Sequence, residues 1–328
     1  MDVSQRGEFG LIAHLDRNLS VRAGVKLGIG DDGAVLHSLA HPVVTTDALV
    51  ENVHFRRDWT AAFALGVKAM AVNLSDLAAM GAAPVAAFVA LALPPDCDAD
   101  WVERLYAGME SLAAKYEFTL AGGDTTSAPL VMISVTLVGD LMPEARGLAV
   151  LRSGARVGDC VCVTGTLGDS AAGLALLRRP DANFGRAEFL LKRHLEPAPR
   201  LAAMRACLGA ARDAVHAALD LSDGLAGDAA HLARASGVAL EIECERLPIS
   251  DECRDLAREL GVSALDWALS GGEDYELCLC VAPDAVEKLS AATDVALTIV
   301  GRVVAGAGEV RMSENGEARA VEAGWTHF

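Results

Sequence analysis

The stretch Ala61–Met80 constrains the fold of this chain more than any other. Phe63, Val67, Met70, Leu74 and Leu77 fall at helical spacing and form one apolar stripe, which Gly81 and Pro84 end. Asn73 and Asp76 interrupt it, three residues apart and therefore on one face. A carboxylate inside an Ala-rich buried helix is costly unless it is paired or bound to metal. The plain alternative is a surface face of the helix. Apolar runs that read as strands flank it, Val43–Val50 before and Val85–Leu93 after.

Helix and strand patterns mix along the whole chain, and no short-period repeat is present. Phe9, Ile12, Leu15 and Leu19 predict a helix over Glu8–Leu19, and Leu105 and Leu112 one over Asp100–Tyr116. Phe118–Ala121 reads as a short strand entering the glycine turn of GGDTT, and Val131–Val138 as another strand. Met142–Gly147 and Arg152–Asp159 are rich in turn residues. A chain of 328 residues is expected to form about two domains, here divided near residue 148. The second half reads as strands Cys160–Thr164, Leu240–Cys244 and Tyr275–Val281, with helices Asp169–Leu177, Glu188–His194, Ala202–Ala211, Gly224–Ala235 and Glu252–Leu260. Trp59, Trp101 and Trp267 are expected in the core, His194 as structural or surface, and the acidic 251–259 stretch as a solvated helix face.

The net charge of −17 repels nucleic acid and anionic membranes, so neither is an expected partner. Bound cations reverse that sign locally, so phosphate substrates stay open. No signal peptide is read at the N-terminus, and no stretch of about 18 residues is apolar throughout. The eight cysteines form no C-x-x-C pair, and reduced buried thiols in a cytoplasmic protein are expected.

Six short segments carry chemistry. Gly28-Ile-Gly-Asp-Asp-Gly33 matches G-x-G-x-x-G, but a strand-like AVLHSL follows it, and Asp31 and Asp32 would repel bare pyrophosphate. It suits a Mg²⁺-binding loop or a solvated turn better. Thr45-Thr46-Asp47 closes a strand with hard oxygen donors, and His54 follows. Asn73-Leu-Ser-Asp76, Gly122-Gly-Asp-Thr125, Asp220-Leu-Ser-Asp-Gly224 and Ser270-Gly-Gly-Glu-Asp-Tyr275 add further carboxylates beside glycines or hydroxyls. Each alone is ordinary turn chemistry. Together they suggest several Mg²⁺ ions holding a polyphosphate. No lysine follows a glycine, so there is no P-loop, and protein-kinase signatures are missing too. Metal ions would then carry most of the neutralisation, helped by Arg152.

The strings GEFGLI, LGIGDD, TTDALVENVHF, KAMAVNLSDLAAMGAAP, GGDTT, RSGARVGD, VTGTLGDSAAGLALL, KRHLEPAPR, DLSDGL and WALSGGEDYELC, in this order, resemble the thiamine-monophosphate kinase family. They run from residue 7 to about 280, with a weaker match in the closing GWTHF. The resemblance implies the two-domain fold shared with aminoimidazole-ribonucleotide synthetase. An α/β N-terminal domain (1–148) carries the dimerising sheet, and an α+β domain (149–328) packs beside it. It also implies a homodimer with ATP in a cleft at its interface, and phosphoryl transfer from ATP to thiamine monophosphate. By position, Asp32, Thr45, Thr46, Asp47, Asp76, Asp124, Asp220 and Asp223 resemble the family's magnesium ligands. Tyr106, Gly123, Asp124, Arg152 and Ser222 resemble its ATP contacts, and His54, Glu273 and Trp325 its substrate contacts. Asp31 is read as a neighbour of the metal position, and no residue is needed as general base.

Rival readings are a synthetase of the same fold or a plain divalent-cation binder. A selenophosphate-type enzyme needs an N-terminal reactive Cys, yet the first cysteine is Cys97; a hydrogenase-maturation type needs a C-terminal Cys, yet the chain ends WTHF.

Overall fold

A computed structural model describes Gln5 and residues 8–29, 32–179 and 187–320. Asp31 and Trp325 lie outside the described residues. The chain divides into two compact units: Met1–Leu77 with Ala82–Leu141, and Ala78–Gly81 with Met142–Phe328.

The first unit begins with helix α1 (Glu8–Asp16) and a two-stranded pair, β1 (Val25–Leu27) and β2 (Val35–Leu36). The strand expected in AVLHSL is reduced to those two residues of β2. Then follow β3 (Pro42–Val50), α2 (Ala62–Met80), β4 (Ala82–Leu93), α3 (Ala99–Tyr116), β5 (Thr119–Ser127) and β6 (Met132–Leu141). The four-stranded sheet has the order β3-β6-β4-β5. Its one parallel pair, β4 with β5, is joined through α3, as a parallel connection requires. Alternation sorts the sheet into two faces. Leu49, Ile133, Val135, Leu137, Val89 and Leu91 are buried. The other face presents Val44, Thr46 and Ala48 opposite Val138, Thr136 and Ser134.

The long helix α2 is the one described helix long and apolar enough to cross a membrane, but 83% of its apolar window is buried within the fold. It is therefore a core helix. Two glycines let it touch α3 backbone to backbone: a Cβ on Gly66 would lie 2.0 Å from the Leu105 carbonyl oxygen, and one on Gly108 2.0 Å from that of Phe63. α3 is capped by Asp98, whose side chain accepts from the Asp100 N–H, and by Glu117 in the left-handed region.

The second unit contains β7 (Cys160–Thr164), α4 (Asp169–Leu177), α5 (Ala187–Leu195), α6 (Leu201–Ala211), β8 (Val215–Asp220), α7 (Leu225–Ser236), β9 (Ala239–Glu243), α8 (Asp251–Leu260), α9 (Ala264–Ser270), β10 (Leu277–Val281), α10 (Val286–Ala292), β11 (Leu297–Val304), β12 (Val310–Glu314) and β13 (Glu317–Arg319). Its sheet runs β13-β12-β9-β11-β7-β10-β8, and only β12 with β9 is parallel. Val161, Val163, Leu219, Leu232, Leu240, Ile242, Val300 and Val303 share one core. A smaller cluster of Ala172, Leu176, Leu190, Cys253 and Leu256 joins α4, α5 and α8.

The i, i+2 cysteine pairs sit as the spacing requires. Cys162 opposes Leu279, while Cys278 and Cys280 oppose Val163 and Val161 on the other face. All eight cysteines are free, and burial pushes the Cys162 and Cys278 thiols well up, so these two are unreactive packing groups. α8 turns Cys253, Leu256 and Ala257 inward and its charges outward, as the composition of 251–259 predicts. The three tryptophans differ from expectation: all are half-buried. An indole is large enough to straddle core and surface. Trp267 leans on the smaller cluster, and the Arg56 guanidinium stacks 4.7 Å from the Trp59 ring centre.

Candidate active site

In the first unit, β3 and α2 bring three oxygen-bearing side chains together. The Thr45 hydroxyl donates a short hydrogen bond to Asp76 Oδ2, and Asp47 shares a hydrogen bond with the same carboxyl. Burial, then the charge of Asp76 and that hydrogen bond, push the Asp47 carboxyl up to about 6. Two acids facing each other with a hydroxyl form a hard, oxygen-only donor set, the chemistry that suits Mg²⁺.

Thr46 and Asp124 hold other positions on the sheet. Thr46 bonds away from that trio, to the Val135 carbonyl at 3.1 Å and the Thr136 hydroxyl at 3.2 Å. Asp124 holds the register position of Ala90, on the row of Ser134 and Ala48, whereas Asp47 aligns with Val135 and Val89. GGDTT is not a turn after a short strand: β5 runs through it, because residues 122–126 continue the parallel pairing with β4. Gly123 has φ +153°, and a Cβ there would lie 1.9 Å from the Val89 carbonyl oxygen, so only glycine fits. Asp32 is exposed. His54 is fixed in a tight turn, where its Nδ1 accepts from the Val50 N–H at 3.0 Å. Tyr106 lies on α3 and lines a cavity of about 690 Å³ together with Leu15, Arg104 and Glu110. Burial pushes its phenol up to about 12, so it stays neutral.

In the second unit, the DLSDG and GGEDY segments are bound to each other by main chain. Glu273 N–H donates to the Ser222 carbonyl at 2.7 Å, Tyr275 N–H to Leu221 at 2.9 Å, and Leu221 N–H to Glu276 at 2.8 Å. The pairing extends the β8–β10 ladder beyond Asp220 and Leu277. It thereby sets Ser222 and Asp223 beside Glu273, with Asp220 opposite Leu277. Glu273 and Tyr275 both have φ in the left-handed region, +57° and +52°, a strained arrangement concentrated in this loop. Arg152 is exposed on a loop that Ser236 pins, its hydroxyl donating to the Arg152 carbonyl at 3.0 Å and accepting from Ala155 N–H at 3.2 Å.

Among the described residues, no three His, Cys, Asp or Glu side chains gather closely enough to hold a metal ion by themselves. The expected eight-residue ligand set draws on threonines as well as carboxylates. Its members are spread over two units and both faces of one sheet.

The comparisons with known proteins decide the family. Residues 30–141 match the N-terminal domain of AIR synthase related protein, and residues 156–313 match its C-terminal domain. The chain is 44% identical to the thiamine-monophosphate kinase of Escherichia coli (strain K12), over 98% of both chains. It is 38% identical to that of Aquifex aeolicus over the full length of each. The chain belongs to the thiamine-monophosphate kinase family. A solved thiamine-monophosphate kinase from Stenotrophomonas maltophilia superposes with a TM-score of 0.79 at 40% identity, covering 94% of this chain and 95% of that one. An Aquifex structure described as complexed with AMPPCP and TMP gives 0.78 at 36% identity, covering 100% and 99%.

For a member of the thiamine-monophosphate kinase family, the residues that sequence reasoning passed over are those that hold the two loops. Asp228 Oδ2 accepts from the N–H groups of Asp223 (3.0 Å) and Gly224 (3.2 Å), and burial pushes its carboxyl up to about 7. Glu276, fully buried, accepts from Arg193 at 2.9 Å, Arg200 Nε at 2.6 Å and the Thr164 hydroxyl at 2.6 Å. Asp274, also buried, accepts from the N–H groups of Gly168 (2.7 Å) and Ser170 (3.2 Å). Arg193 and Arg200 lie in KRHLEPAPR, Thr164, Gly168 and Ser170 in VTGTLGDSAAGLALL, and Asp274 and Glu276 in WALSGGEDYELC; the sequence does not show that Glu276 is fully buried among them. His194, expected as structural or surface, is buried, with Nδ1 3.0 Å from the Ser170 hydroxyl.

Proposed function

We propose that this chain is a Mg²⁺-dependent thiamine-monophosphate kinase that transfers the γ-phosphoryl group of ATP directly to thiamine monophosphate, giving thiamine diphosphate and ADP. The observation that carries this reading is 44% identity across 98% of the chain to an enzyme of that name. The Thr45, Asp47 and Asp76 trio supports the metal requirement, since its oxygens fit a hard cation.

The acceptor is a phosphate monoester whose second pKa is about 6, so its oxygen is already largely anionic at pH 7. No side chain has to remove a proton. The barrier is repulsion between two polyanions and the need for in-line geometry. Bound Mg²⁺ supplies charge neutralisation of the transferring group. In this reading Asp47 and Asp76 with Thr45, Asp32 and Asp124 of the first unit, and Asp220 and Asp223 of the second, provide the carboxylate and hydroxyl oxygens that hold it. Arg152 adds positive charge at the nucleotide, and Tyr106, Gly123 and Ser222 contact it. His54 and Glu273 contact the acceptor, as does Trp325. Thr46 belongs to the same proposed ligand set; its hydroxyl also donates to the Val135 carbonyl of β6, which leaves oxygen lone pairs for a cation.

A homodimer is part of the proposal. Its support is the open face of the first sheet, where Val44 is 62% exposed and Met132 39%. Two such faces packed together would remove apolar area from water. Eight free cysteines support a reducing, cytoplasmic setting.

The test is turnover. Protein, ATP and Mg²⁺ are incubated with thiamine monophosphate, or with thiamine as the parallel acceptor, and thiamine diphosphate is quantified. Product from the monophosphate alone, abolished by EDTA, is expected. A folded, ATP-binding protein without product would move the reading to a synthetase of the same fold. Absence of ATP binding would leave a cation-binding protein.

A further inference from the structure

Glu273 is the proposed acceptor contact, and its backbone is fixed by the Ser222 carbonyl on one side and by buried Asp274 on the other. Backbone anchoring does not orient a carboxylate at the end of three rotatable bonds. A side-chain partner does. His194 Nδ1 stands 3.4 Å from Glu273 Oε2 and 3.0 Å from the Ser170 hydroxyl. The imidazole is 5% exposed and the glutamate 25%, so the histidine lies behind the carboxylate and is shielded from solvent.

The histidine is brought there by close packing. A Cβ on Gly173 of α4 would lie 2.2 Å from the Leu190 carbonyl oxygen and 2.9 Å from His194 Cβ, so α5 approaches α4 as only a glycine permits. Ser170 in the first turn of α4 then meets the ring, while its N–H, with that of Gly168, holds Asp274. One helix end therefore grips two consecutive residues of a strained loop, Asp274 through main chain and Glu273 through His194.

We propose that His194 is a positioning residue for Glu273. It donates a hydrogen bond from Nδ1 and aims the carboxylate at the positively charged thiazolium and aminopyrimidine portion of the acceptor. Nδ1 has one proton to give, so the bond to Glu273 requires the ring protonated at Nδ1, with Ser170 Oγ only an accepting competitor for that N–H; a serine that donated to Nδ1 would leave no proton for Glu273. This inference rests on the reading of Glu273 as an acceptor contact.

The experiment measures KM for thiamine monophosphate, KM for ATP and kcat in the full-length enzyme. The variants are Glu273→Gln, His194→Leu, His194→Asn and the double variant Glu273→Gln/His194→Leu. Asn places an amide N–H near the position of Nδ1; Leu fills the space without a donor. His194→Leu is expected to raise the acceptor KM about tenfold, the effect of one lost hydrogen bond to a charged group. KM for ATP and kcat should stay within about twofold. His194→Asn should recover most of the loss, and His194→Leu should add nothing on top of Glu273→Gln. A merely structural role would move all three constants together or act additively with Glu273→Gln, and either result overturns the proposal. If His194→Leu does not fold, His194→Gln takes its place: its amide N–H falls near Nε2 instead of Nδ1, so the acceptor KM should rise about tenfold while His194→Asn stays within about threefold, and equal constants for the two would overturn the proposal. Ser170→Ala should also stay within about threefold; a tenfold rise there would make the serine, not the histidine, the partner of Glu273. A silent Glu273→Gln would refute the acceptor contact itself, whereas a raised acceptor KM in Glu273→Gln with a silent His194→Leu would refute this inference alone.

Discussion

Asp47 and Glu276 are both acids withdrawn from water, and their surroundings are opposite. Asp47 faces another carboxyl, Asp76, and burial with that neighbour holds its proton on up to about pH 6. Glu276 has two guanidinium groups and a hydroxyl on its two oxygens. A fold that needs only stability would never set two acids together without a cation. In the proposed function the first arrangement serves a cation that arrives; the second serves the chain itself. The difference teaches that partner sign, more than burial, separates a site from a scaffold.

That contrast is open to attack in solution, and the sharpest blow is Asp47→Asn. It is expected to lower kcat/KM by a factor of about 10³ or more, in keeping with loss of electrostatic stabilisation at the reacting centre. The metal-free protein should lose no stability, because a like-charge contact is removed. Near-normal turnover would take Asp47 out of the metal site. The reverse pattern belongs to Glu276→Gln. Leaving Arg193 and Arg200 around a neutral amide should cost about 3–5 kcal/mol, read as a fall in denaturation midpoint. An unchanged midpoint would mean that the cluster is not structural.

Asp274 lies between the two cases, held by backbone donors yet fully buried, and burial pushes it up to about 7. Its folded pKa lies above the ordinary carboxylate value of 3.8. The folded state therefore binds the proton more tightly, and stability from this group is lost as pH rises from about 4 to about 7. Asp274→Asn should flatten that decline by a few kcal/mol, on the order of 3. Melting curves of both proteins across that range test it, and parallel curves would remove Asp274 as the source. If the proposed dimer forms through the open sheet face, Val44→Glu there should convert it to a monomer in light scattering, with little change in monomer stability. Removing the exposed Arg258–Asp255 pair, 2.8 Å apart on α8, should cost no more than about 0.5 kcal/mol.

The sequence made most of the elements readable. α2, α4 and β7 fall within one residue of their expected bounds, because long apolar periodicity and turn residues mark them. β5 was misread because its pairing with β4 is non-local, and Gly-Gly looks like a turn until a parallel neighbour claims it. The acidic motifs were visible as motifs. Their grouping was not: period-2 alternation puts Thr46 on the other face from Thr45 and Asp47, and the register decides where Asp124 falls. The support cluster was hidden because its members, from Thr164 to Glu276, are gathered only by tertiary folding. His194 was legible as structural or surface, and only the packing of α5 on α4 decides for burial.

The main-chain bonds that join Leu221 and Ser222 to Glu273, Tyr275 and Glu276 have a consequence for how such an enzyme can change. They use no side chain. The span between the proposed nucleotide loop and the proposed acceptor loop is therefore written in peptide units. A new side chain at position 273 would alter which acceptor is gripped and leave that span untouched. Acceptor preference and reach can drift separately, which makes this loop the place to begin engineering an altered acceptor.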